Sequence, residues 1–140
     1  MTAAMTAAMT TDAGQRASGG LILFAHGARD ARWAEPFERL RTRVAAQLPE
    51  ARVTLAFLEL MEPDLDRAVD ALVADGCGQI DIVPIFFGQG SHLRRDLPML
   101  VEKLRHRLPD IAITIAEAAG EDDGVIDAIA DYCVRSSSSG

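Results

Sequence analysis

The sequence predicts a three-layer α/β fold, a four-stranded parallel sheet with helices on both faces. Two observations carry this expectation. Apolar runs of strand length alternate strictly with segments of helical periodicity, in the order β-α-β-α-β-α-β-α. Such alternation builds a parallel sheet whose crossovers are right-handed helices. Glycine and proline mark most of the boundaries between the segments. The strand order expected is 2-1-3-4, the doubly wound, flavodoxin-like arrangement.

Residues 21–25, LILFA, are fully apolar and form the first strand. From about residue 34 to 48, Phe37, Leu40, Val44 and Leu48 recur at helical spacing, Pro36 suits a first turn, and Pro49 closes the segment. RVTLAFLEL, residues 52–60, reads as the second strand. The next helix has Pro63 near its start, a stripe of Leu65, Ala68, Val69 and Leu72, and a stop at Gly76. QIDIVPIFF is the third strand, and Leu97, Leu100, Val101, Leu104 and Leu108 mark the third helix. Asp96 reads as its N-cap, with Pro98 in its first turn. IAITIAEA is the fourth strand, and Val125, Ile126, Ile129, Ala130 and Cys133 mark the last helix.

The folded unit is expected over residues 20–135, one domain, with a disordered leader at 1–19 and a flexible tail at 136–140. The leader has no charged start followed by an apolar run, so it does not read as a signal peptide. A chain of 140 residues, 49% hydrophobic, is long enough for a real core. Its net charge of −7 argues against a general nucleic-acid or anionic-membrane binder, and no apolar stretch has the length of a membrane span. Cys77 and Cys133 form no C-x-x-C motif. Reduced thiols in a cytoplasmic protein are the simplest reading.

In such sheets, ligands bind at the carboxyl ends of the strands. His26 follows strand one, Glu59 ends strand two, His92 lies in the loop after strand three, and Glu117 ends strand four. A lone loop histidine is usually just solvated, but two at the same sheet edge are harder to dismiss. His106, between two arginines on a polar helix face, reads as a surface residue. A carboxylate between Leu58 and Leu60 is costly unless partnered. Glu59 is therefore either a wet residue past the strand or an oxygen ligand completing a His, His, Glu set. Imidazole and carboxylate together suit divalent Fe, Co, Ni or Zn. Glu117 is the weaker candidate, in a solvated acidic stretch.

Arg29, Arg32, Arg94 and Arg95 fall in the two segments that carry the histidines. In so acidic a chain, this clustering points to an anionic ligand, since arginine grips carboxylates and phosphates in bidentate fashion. The alternative is local pairing, Arg29 with Asp30 and Arg95 with Asp96. Gly88 and Gly90, with Ser91 beside them, allow the backbone to approach a ligand closely. They lack the remaining residues of a dinucleotide or P-loop fingerprint. Phe86 and Phe87 are candidates for an apolar wall against a flat ligand. Trp33 and Phe37 either shield a site or pack.

These stretches resemble the small sirohydrochlorin chelatases, the CbiX type of the class II tetrapyrrole chelatases. The resemblance rests on LILFAHGARD, VTLAFLELMEPDLDRAVDALVADG and IDIVPIFFGQGSHLRRDLP, which cover most of residues 21–109. It implies a chelatase half-domain that pairs as a homodimer and inserts Co²⁺ or Fe²⁺ into sirohydrochlorin, in cobalamin or sirohaem biosynthesis. Ni²⁺ would serve a different cofactor. The metal is then a substrate, and no tightly bound cofactor is implied. His26, Glu59 and His92 carry over as the metal-handling residues, with His26 and His92 also taking protons. Because sirohydrochlorin carries eight carboxylates, Arg29, Arg32, Arg94 and Arg95 would supply its cationic rim. Two other readings use overlapping features. A histidine phosphatase also begins strand–His-Gly-x-Arg, but generally has arginine before the histidine, where this chain has Ala25. A non-catalytic cobalt or nickel carrier needs the same ligands, but gains nothing from clustered arginines.

Overall fold

The computed structural model describes residues 19–88 and 90–138, without the side chains of Ser91 and His92. The expected leader up to residue 18, and residues 139–140 of the expected tail, lie outside the described residues. Four strands form one sheet: β1 (Gly19–Ala25), β2 (Arg52–Phe57), β3 (Gln79–Pro84) and β4 (Ala112–Ile115). Their order is β2-β1-β3-β4, and every pairing is parallel, as the alternating pattern predicts. The helices are α1 (Glu35–Gln47), α2 (Leu65–Ala74), α3 (Ser91–Arg107) and α4 (Asp123–Arg135), with short 3₁₀ turns at Ala31–Ala34 and Ala119–Glu121.

Successive strand side chains point to opposite faces, which divides the core in two. Ile22 and Phe24 of β1 join Ile80, Ile82 and Ile113 on one face, under Leu65, Ala68, Val69 and Leu72 of α2 and Leu97, Val101 and Leu104 of α3. Leu23 and Ala25 of β1 join Leu55 and Phe57 on the other, under Phe37, Leu40 and Val44 of α1. Trp33 packs on this second face, 4.6 Å from Phe37 and 6.4 Å from Phe57 between ring centroids, so its role there is packing. Cys77 is buried and Cys133 exposed, both as free thiols. Burial pushes the Cys77 thiol up from its ordinary pKa.

The start of the third helix differs from expectation. Asp96 and Pro98 lie inside α3, whose N-cap is Gly90. His92, Arg94 and Arg95 are therefore helical residues rather than loop residues. The expectation rested on correct local chemistry, since Asp caps helices and Pro favours their first turn. Apolar packing wins instead: Leu93 and Leu97 belong to the same core-facing stripe as Val101 and Leu104, which carries the helix through Pro98. No helix among the described residues is long and apolar enough to cross a membrane.

Candidate functional site

The site is built where β1 and β2, neighbours in the sheet, both end. Ala25 closes β1 and Phe57 closes β2, directly paired. Hydrogen bonding continues past both strands: Leu58 N–H donates to the Ala25 carbonyl at 2.9 Å, and Glu59 N–H to the His26 carbonyl at 3.1 Å. Glu59 therefore lies two residues beyond its strand, not at its end, yet remains in register with His26. Their side chains meet, with His26 Nε2 3.4 Å from Glu59 Oε2. Both are about half exposed, 54% and 56%, open to a ligand from solvent.

Two backbone features hold this pair. Gly27 has φ +101°, and a Cβ there would sit 1.9 Å from the Glu59 carbonyl oxygen. Only glycine permits so close an approach. Leu60 has φ 69°, a conformation uncommon for a branched residue, and it turns the chain directly after Glu59. The His26 ring also stands edge-on to Phe86, 6.1 Å between centroids.

An open groove of about 450 Å³ runs beside His26. Leu58, Leu93, Met99 and Leu100 give it apolar walls, and Asp96 and Lys103 add charges. The apolar lining of this groove comes from α3 and Leu58. Phe86 is buried in the core beneath His26, and Phe87 is exposed. Met99, Leu100 and Lys103 repeat at helical spacing from Asp96. They fall within the helix the sequence predicts, but no sequence signal shows that this face borders His26.

The structure brings His26 and Glu59 together. The backbone of His92 is in the first turn of α3, next to the groove residue Leu93, while its side chain lies outside those described. Among the described residues, no third histidine, cysteine or carboxylate joins the pair to form a metal-binding group. Glu117 follows β4, which β3 separates from β1, so sheet order keeps it from this pair. Gly88 and Gly90 are exposed, with nothing within 4 Å of a Cβ at either position. Ser91 opens α3, and its side chain is also outside those described.

The four arginines are all exposed. Arg32, rather than Arg29, pairs with Asp30, at 3.1 Å. Its side chain, and then its backbone N–H, hold the Asp30 carboxyl below its ordinary pKa. Arg94 reaches Glu121 at 3.4 Å. Exposed pairs of this kind are weak and exchange readily for a ligand carboxylate.

The CbiX family model matches residues 20–135. The sirohydrochlorin cobaltochelatase of Saccharolobus solfataricus is 32% identical over 114 residues, covering 76% of this chain and 86% of its own. That of Sulfolobus acidocaldarius is 32% identical over 108 residues, covering 77% and 84%. Among solved structures, the cobalamin (vitamin B12) biosynthesis CbiX protein of Marinobacter aquaeolei VT8 has a TM-score of 0.74 at 36% identity, over 84% of this chain and 95% of that one. SirB from Bacillus subtilis subspecies spizizenii, a sirohydrochlorin chelatase solved in complex with cobalt, shares the fold. Its TM-score is 0.68 at 24% identity, over 85% of this chain and 51% of that one.

Proposed function

Since the chain belongs to the CbiX family, we propose that it is a sirohydrochlorin chelatase, inserting Co²⁺ or Fe²⁺ into the macrocycle. The observation that carries this reading is the His26–Glu59 pair, 3.4 Å apart and half exposed, at the rim of an apolar groove. Insertion exchanges the ion's water ligands for four ring nitrogens and releases two pyrrole N–H protons. A histidine and a carboxylate open to solvent can hold the ion loosely and then release it. They are also proton acceptors of the right kind. His92, on the first turn of α3, completes the set as second histidine.

The groove fits a flat ring that is apolar on its faces and anionic at its edge. Leu58, Leu93, Met99 and Leu100 meet the ring face, and Lys103 offers a cation to a peripheral carboxylate. Arg29, Arg32, Arg94 and Arg95 serve the remaining carboxylates, as the backbone around Gly88, Gly90 and Ser91 approaches the ring. A homodimer is part of the proposal, because the site on one copy is open to solvent and the SirB chain is about twice the matched length.

The test is turnover. Purified protein is mixed anaerobically with an excess of sirohydrochlorin and Co²⁺ or Fe²⁺, and the visible spectrum is followed against a protein-free control. A chelatase converts many equivalents per chain. A metal carrier saturates at its binding stoichiometry, and that result would overturn the proposal.

A further inference from the structure

The groove beside His26 carries a charge of the wrong sign for its substrate. Sirohydrochlorin is a polycarboxylate and is repelled by a fixed carboxylate. Yet Asp96 lines the groove, together with His26, Lys103 and four apolar side chains. Asp96 is exposed, and the core-facing stripe of α3 runs instead through Leu93, Leu97, Val101 and Leu104. Lys103 is the one lysine or arginine among the described residues that line the groove.

These two opposite charges are ordered along α3. Seven residues separate them, which is about 20° short of two full turns, so both fall on one stripe of the helix. They are about 10.5 Å apart along its axis. Met99 lies between them and lines the same groove. His92 precedes Asp96 by four residues, one turn toward the start of the helix. The carboxylate is therefore at the end of the stripe where α3 brings in His92, and the lysine lies two turns beyond.

A second cavity of about 180 Å³ adjoins the first, since Leu58 and Leu100 line both. Asp64 and Asp66 border it, and no lysine or arginine does among the described residues. A carboxylate arm is disfavoured there too, which leaves Lys103 as the attractive end of the groove.

We propose that Asp96 and Lys103 set the in-plane orientation of the macrocycle. Lys103 draws a peripheral carboxylate to its end of the groove, and Asp96 keeps carboxylates away from the metal end. The two substrates differ in sign, so one carboxylate attracts the divalent ion and repels the edge of the ring. The separation matters because carboxylates are themselves ligands for divalent ions. A peripheral carboxylate that reached the His26–Glu59 pair would take the ion at the rim instead of passing it to the ring nitrogens. Asp96 is thus a specificity-determining residue that acts through its charge on the substrate. The inference rests on the chelatase reading above and deepens it.

The test uses the full chain as wild type, Asp96→Asn, Asp96→Glu and Lys103→Gln, each checked for folding by circular dichroism. Metal-free sirohydrochlorin is titrated into each protein anaerobically, and Kd is read from the visible spectrum. Initial rates of Co²⁺ insertion at varied sirohydrochlorin then give kcat. Lys103→Gln should raise Kd about two- to five-fold, the scale of one exposed charge pair. Asp96→Asn should lower Kd by a similar factor while kcat falls about ten-fold, because the ring binds tighter in the wrong orientation. Asp96→Glu, which restores the charge, should reverse both effects of Asp96→Asn.

A merely structural role for Asp96 does not tighten binding while slowing turnover. An Asp96→Asn protein with unchanged or weaker binding would overturn the inference, as would a Lys103→Gln protein with the wild-type Kd. So would an Asp96→Glu protein that behaves like Asp96→Asn. In each of these cases a wild type that turns over leaves the chelatase reading standing. A wild type that neither binds sirohydrochlorin nor inserts the ion would overturn both.

Discussion

Gly27→Ala tests how the His26–Glu59 pair is held. Gly27 is at φ +101°, where an alanine is strained by about 1–2 kcal/mol. The larger effect is steric. The new Cβ would lie 1.9 Å from the Glu59 carbonyl oxygen, whereas real Cβ contacts stay beyond 3.0 Å. The contact must open by about 1.1 Å, and a displacement of that size at a catalytic centre costs on the order of 10²-fold in rate. What moves is the backbone of Glu59, bonded to the His26 carbonyl at 3.1 Å. The assay is the anaerobic initial rate of Co²⁺ insertion, with denaturant unfolding measured in parallel. Gly78→Ala, where an added Cβ meets nothing within 4 Å, is the control and should keep its rate. A Gly27→Ala protein inserting metal at the wild-type rate would refute the claim that this close approach sets the site's geometry.

Other substitutions separate binding from folding. Arg94→Ala should raise KM about five-fold with kcat nearly unchanged, for the loss of an exposed contact worth about 1 kcal/mol to a substrate carboxylate. Steady-state kinetics at varied sirohydrochlorin decide it. Leu97 is 1% exposed, and Leu97→Ala should lower the unfolding free energy by about 2–5 kcal/mol in urea. Asp30 is held below its ordinary pKa first by the Arg32 side chain and then by the Arg32 backbone. Its contribution to stability is present above the ordinary carboxylate pKa and is lost as pH falls through the lower folded value. Arg32→Ala should bring its titration back toward the ordinary value, as read by NMR of the Asp30 carboxyl.

The architecture was legible because apolar periodicity sets strands and helices, and their alternation implies a parallel sheet; the 2-1-3-4 order, which the structure has, came from the doubly wound class and not from the alternation itself. What was not legible depends on contacts distant in sequence. The N-cap and early-proline signals at Asp96 and Pro98 were outweighed by burial of Leu93 and Leu97 against the sheet, which lengthened α3 at its start. Met99, Leu100 and Lys103 lay within the expected helix, but that their face borders His26 depends on how the helix packs on the sheet. His26 and Glu59 could be found from the sheet-edge rule, but their juxtaposition depends on strand register. Glu117 satisfied the same rule and still lies apart, because β4 is not next to β1. The amphipathic pattern of α4 was legible too. That it leaves Ile126, Ile129 and Tyr132 exposed among the described residues was not, since its position depends on how Gly120 seats against Phe87.

The central claim is that metal insertion takes place at His26. Its most direct measurement is the anaerobic insertion rate of the His26→Ala protein, beside the wild type, His92→Ala and His106→Ala, with folding verified for each. The account expects His26→Ala and His92→Ala to fall nearly to the uncatalysed rate, and the exposed helical His106→Ala to match the wild type. A folded His26→Ala protein that inserts Co²⁺ as fast as the wild type would contradict it.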